Sequence, residues 1–184
     1  MKQHSLRVLC AAIVCLVAGS VALAAHNLPS DIEAAAQKSV GKKMWFGYGL
    51  AKGTLGCAAA LSNVLKQAGV SSAHSATVTV VRRQLLASGL AQELKLRSGE
   101  GTQIDDATMK QIAHPGDVVL AFKLPPDKNY NGGADAHCGI LADGGDIYTN
   151  DWMDGIWKKV NIHLMFDYYP YVRLLRLTDK AQSE

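Results

Sequence analysis

The chain predicts an α+β domain in which helices come first and an antiparallel β-sheet follows. Apolar residues recur at three- and four-residue spacing through the first half, whereas short apolar runs bounded by turn residues fill the second. No internal repeat or low-complexity segment interrupts either half. The 184 residues, 48% hydrophobic and 19% charged, suit one globular domain rather than a disordered chain.

The first segment reads as an address rather than as part of the fold. Lys2 and Arg7 precede an apolar run from Val8 to Ala18, which exits through Val21-Ala22-Leu23-Ala24. The small residues Ala22 and Ala24 suit a signal peptidase, so 1–25 is expected to be a secretory signal peptide and 26–184 the exported domain. The product is then periplasmic or secreted, without stable membrane insertion after cleavage. Losing Lys2 and Arg7 lowers the formal charge from +3 to +1, which excludes a nucleic-acid footprint. Cys10 and Cys15 leave with the leader, and Cys57 and Cys138 alone do not make a disulfide-stapled miniature fold.

In the exported domain Ser30 and Glu33 form a capping box, and Ile32, Ala35, Ala36 and Val40 continue an amphipathic pattern, which predicts a helix from Asp31 to near Gly41. A glycine-punctuated stretch from Gly47 to Gly56 follows. Cys57, Leu61, Val64, Leu65 and Ala68 then recur at helical spacing, with Gly69 as the C-terminal cap and Thr54 as the expected N-cap. Cys57 would lie in the first turn. Val78, Val81, Leu85 and the closing Gly89 predict a third helix from about Ala76 to Ser88.

Strands come next. Pro115-Gly116 turns into the run Asp117 to Phe122, and Lys123 to Asp135, with Pro125-Pro126 and Gly132-Gly133, reads as a long exposed loop that can act as a lid over the following strand. Further strands are expected at His137 to Ala142, Ile147 to Asn150, Ile156 to Ile162 and Tyr171 to Leu177, the first two joined by a turn at Asp143-Gly144-Gly145-Asp146.

A cysteine at a helix start has a physical reason to be reactive, because the unpaired amides of the first turn favour thiolate over thiol. Cys57 is therefore the candidate nucleophile. His137, opening an apolar strand after a glycine-containing loop, is the candidate base. With a two-residue turn at Gly144-Gly145, Asp143 pairs with Asp146 and Gly139 faces Asn150, which puts Asn150 on the His137 side as the group that orients the imidazole. A longer turn exchanges Asn150 for Asp151, so the third member of the triad is open between them. The same alternation puts Cys138 on the opposite face and argues against a Cys57–Cys138 disulfide. Trp152 is a candidate substrate contact. His114, Asp117 and Asp135 lack metal-ligand spacing and there is no phosphate-binding glycine motif, so neither metal nor cofactor is expected.

The blocks Gly56-Cys57-Ala58-Ala59-Ala60-Leu61, Pro115-Gly116-Asp117-Val118-Val119 and Ala136-His137-Cys138-Gly139-Ile140 resemble, in order and spacing, those of exported papain-like bacterial cysteine peptidases and amidases of the NlpC and CHAP kind. The resemblance spans about Trp45 to Ile162. Gly56, Ala58 and Ala136 stand where such proteins often carry aspartate, serine and glycine, which marks a divergent member. The resemblance implies a papain-like fold and cleavage of amide bonds in peptidoglycan peptides by Cys57, His137 and Asn150, through a thioester, with Tyr48 upstream of the nucleophile as a substrate contact. It also implies a peptidoglycan peptide as partner, and names no inhibitor or activator protein. Two other classes fit the same residues: a non-catalytic binding or adaptor domain with an inert Cys57, and an acyltransferase or transglutaminase-like enzyme that passes the acyl group to an amine or alcohol.

Overall fold

The computed structural model describes residues 27–97, 105–126 and 135–179. The expected signal peptide and residues 127–134 of the expected lid loop lie outside them.

Three helices precede the main sheet. The first, α1 (Leu28–Lys38), starts earlier than the capping box suggests. Pro29 lies at the helix start, where its fixed φ is already helical and its missing N–H costs no bond, and buried Leu28 anchors the turn. Ser30 is thus inside the helix and Asn27 caps it. A single 3₁₀ turn (Gly53–Leu55) leads through Gly56 into α2 (Cys57–Gln67), so Thr54 belongs to that turn and Gly56 is the N-cap. The third helix, α3, is Val78–Ala87. Gly69 and Gly89 follow α2 and α3 with φ of +86° and +71°, the left-handed stops that the sequence leads one to expect.

The strands are β1 (Ala91–Arg97), β2 (Val118–Phe122), β3 (Ala136–Leu141), β4 (Asp146–Asn150), β5 (Trp157–Asn161) and β6 (Tyr171–Leu177). They form one antiparallel sheet in the order β1-β6-β2-β3-β4-β5. The α+β class and antiparallel sheet expected from the sequence are those observed. Edge strand β1 was not anticipated; its Gln92-Glu93 start carries polar side chains, and Glu93 pairs with Arg82 of α3.

Both faces of β2 and β3 are covered. On one, α1, α2 and α3 bring Ile32, Leu61, Leu65 and Leu85 against Leu120, Phe122, Cys138 and Ile140. On the other, Ile162, Met165, Phe166 and Tyr169 close over Val119, Ala121, Leu141, Ile147 and Leu174. Two short helices build this second cover, α4 (Asp106–Ile112) and α5 (His163–Phe166). Among the described residues no helix is long and apolar enough to cross a membrane.

His163 joins those helices, its Nδ1 lying 2.8 Å from Asp167 and its Nε2 3.0 Å from Asp106. The hydrogen bond to Asp167, opposed by burial and helped by the charges of Asp167 and Asp106, raises its pKa. The folded state therefore holds this proton more tightly than the unfolded chain. The resulting stability is complete below the unfolded value of about 6.5 and is lost as pH rises through the higher folded value. Thermal melts from mildly acidic to mildly alkaline pH are expected to show Tm falling across that window, and His163→Gln to remove that component of the slope.

Candidate active site

The site forms where the start of α2 meets β3. Helix α2 supplies Cys57 in its first turn, half-buried, with the thiol 3.9 Å from the Ala136 carbonyl oxygen. His137, next to Ala136 in β3, is 4% exposed. The two line one cleft of about 310 Å³ together with Leu50, Leu55, Trp152 and Tyr169.

The Cys57 thiol pKa is held well below its ordinary value. A hydrogen bond from the Cys138 thiol is the largest cause; burial works against it, and His137, by hydrogen bond and by charge, together with the Ala58 N–H, adds to the lowering. The Cys138 thiol moves the other way, pushed up by burial and by its thiolate neighbour. Of the two, Cys57 is the sulfur that gives up its proton more readily.

The ring of His137 is fixed from several sides. Its Nε2 lies 2.9 Å from the Thr149 hydroxyl, and that hydroxyl donates to the Cys138 carbonyl at 2.7 Å. Since the single hydroxyl proton is already committed, the Thr149 oxygen accepts from Nε2–H. With Nε2–H held by Thr149, Nδ1 is the ring nitrogen left to exchange a proton with the Cys57 thiol. Rings of Phe166 and Trp152 stand 5.3 Å and 5.7 Å from the His137 ring, and Tyr169 stacks on it at 6.4 Å.

Asn150 does not take the place expected of it. Gly139 faces Thr149, not Asn150. Ala142 N bonds Asp146 O, so the turn holds the three residues Asp143, Gly144 and Gly145 rather than two. Both glycines have positive φ, +76° and +83°, which makes that longer turn accessible. The one-residue change moves Thr149 onto the His137 face and Asn150 off it. Asn150 is fully buried and donates through Nδ2 to the Gly53 carbonyl at 2.8 Å, tying β4 to the 3₁₀ turn before the cysteine. Asp151 is not beside the imidazole either; it accepts from Lys158 at 2.6 Å and from the Met153 N–H at 2.7 Å.

A Cβ at Gly139 would fall 2.5 Å from the Tyr148 carbonyl, so this glycine lets β3 and β4 approach closely. The expectation for Cys138 also changes. Cys138 does face away from His137, but α2 lies on the Cys138 side of the sheet, so Cys57 meets Cys138 directly and reaches His137 at the strand end.

Trp152 forms part of the cleft wall and is 37% exposed. Tyr48 lies outside that lining, 3.0 Å from His74. Thr149 and Cys138 have the contacts that sequence reasoning missed. A three-residue reading of Asp143-Gly144-Gly145 would have found Thr149. Among the described residues no group of three or more His, Cys, Asp or Glu side chains is arranged to hold a metal ion.

No protein-family profile and no curated protein matches this chain at a significant level. Among solved structures it is similar to a lipoprotein of the NLP/P60 family from Staphylococcus aureus subsp. aureus Mu50, with a TM-score of 0.46 and 18% identity over 83% of this chain. The match spans 42% of that protein's chain, less than half its length.

Proposed function

We propose that this protein is an exported cysteine hydrolase of the papain-like NlpC and CHAP kind that cleaves amide bonds in bacterial cell-wall peptides. The observation that carries the reading is a helix-start cysteine with a depressed pKa that shares a cleft with a histidine of fixed tautomer. The wall-peptide substrate rests on the ordered blocks around Cys57, Pro115-Gly116-Asp117 and His137, together with the signal-like leader.

In this reading the Cys57 thiolate attacks the amide carbonyl, and the backbone N–H of Cys57 donates to the oxyanion. His137, carrying on Nδ1 the proton given up by the Cys57 thiol, passes it to the amine as the C–N bond breaks, leaving a thioester on Cys57. It then takes a proton from the water that releases the acid and restores the thiolate. Thr149 replaces Asn150 as the residue that orients the imidazole, and Asn150 holds the turn ahead of the nucleophile through Gly53. Trp152 is the substrate contact retained from the sequence.

Digestion of purified peptidoglycan by the native protein and by Cys57→Ala, with fragments resolved by mass, tests the proposal. New peptide termini are expected from the native protein alone. Identical profiles from both folded proteins overturn hydrolysis and favour a binding domain. Products joined to an added amine instead of water identify an acyltransferase.

A further inference from the structure

Cys138 is a nucleophilic side chain that the proposed hydrolysis does not use, yet it lies against the one that it does. We propose that Cys57 and Cys138 form a redox modification site, a thiol pair that closes to an intramolecular disulfide when a hydroperoxide enters the cleft. The packing places both residues in one apolar cluster between α2 and the sheet. The Cys57 sulfur sits 3.9 Å from the carbonyl of Ala136, two positions before Cys138 in the same strand. That packing puts the side chain of Cys57 on the face of β3 that carries Cys138, and the mutual influence of the two thiols on each other's pKa accords with it.

Their unequal exposure sets the order of events. Cys57 lines the cleft, whereas Cys138 is 0% exposed, so peroxide reaches Cys57 first. The thiolate attacks one peroxide oxygen, an S–O bond forms, the O–O bond breaks, and the leaving hydroxide takes up a proton to become water. Cys138 then attacks the Cys57 sulfur. The S–S bond forms, the S–O bond breaks, and the hydroxyl departs with the Cys138 proton as a second water. Each sulfur loses one electron and each peroxide oxygen gains one, so one peroxide and two thiols give one disulfide and two waters. The consequence is a reversible block: the nucleophile is withdrawn without passing to the irreversible sulfinic acid.

The test needs no substrate, so its outcome is independent of the hydrolase reading. The folded protein is treated with hydrogen peroxide, denatured, alkylated and digested, and its cysteine peptides are identified by mass spectrometry. A peptide pair joined through Cys57 and Cys138 is expected, and dithiothreitol should return both thiols to full alkylation. In Cys138→Ala or Cys138→Val, whichever retains the native circular dichroism spectrum, Cys57 should instead advance to the sulfinic acid, which dithiothreitol does not reverse. The proposal is overturned if the native protein keeps both thiols alkylatable, if its Cys57 over-oxidises without joining Cys138, or if Cys57 pairs with Cys10, Cys15 or another chain. The native measurement decides the matter even where neither variant folds.

Discussion

Replacing His137 with alanine is expected to lower amide hydrolysis by about 10³-fold or more, because the substitution removes the base and the proton donor at once. It should also move the thiol. His137 lowers the Cys57 pKa by hydrogen bond and by charge, so its loss leaves Cys138 and the Ala58 N–H to hold the thiolate against burial. The pH midpoint of Cys57 alkylation therefore rises toward the free-cysteine value of about 8.5. Thr149→Val separates orientation from proton transfer. With the ring still present but its Nε2 partner gone, the rate should fall by about tenfold to a hundredfold, and Thr149→Ser, which restores a hydroxyl, should recover most of it. Unchanged hydrolysis in His137→Ala would remove the acid–base role, and a Thr149→Ser that stays as slow as Thr149→Val would remove the orienting one.

How far the sequence reaches is set by the range over which each feature is decided. Helix α2 and its cysteine are legible because the apolar spacing through Leu61, Val64 and Leu65 and the stop at Gly69 are local. The runs at β2, β3 and β6 are legible for the same reason. The third member of the site is not, because it depends on register, and register depends on whether Asp143 pairs or joins the turn. A single residue there exchanges Asn150 for Thr149. The contact between Cys57 and Cys138 is further from reach: alternation along β3 tells which side chains share a face, but not which face α2 covers. The second cover of the sheet escaped because α5 has 4 residues and α4 has 7, too few for a helical period to declare itself.

Asp117 closes a block that the sequence reads as a turn into a strand, and β2 does begin just after it, at Val118. In the fold the Asp117 carboxylate is 1% exposed and receives Arg176 through Nε at 3.1 Å and Nη2 at 2.8 Å, and the His114 N–H at 2.9 Å. Arg176, whose own pKa this hydrogen bonding raises, also donates to the Ile112 carbonyl. One pair thus joins the end of α4, the start of β2 and the far end of β6. Asp117→Ala removes the acceptors while leaving the guanidinium partly buried, and breaking such a pair from one side costs about 3 kcal/mol. For a chain of this length that corresponds to a fall in Tm of about 6–12 °C. Because β2 is the immediate neighbour of the strand that carries His137, the same variant should lower hydrolysis near its reduced melting range while leaving the Cys57 alkylation midpoint unchanged at low temperature. The double variant Asp117→Leu/Arg176→Met leaves no unpaired charge and should regain much of the lost Tm. A melting temperature for Asp117→Ala within a degree or two of the native protein's would show that water solvates Arg176 without penalty, and the pair would then contribute orientation of the strands rather than stability.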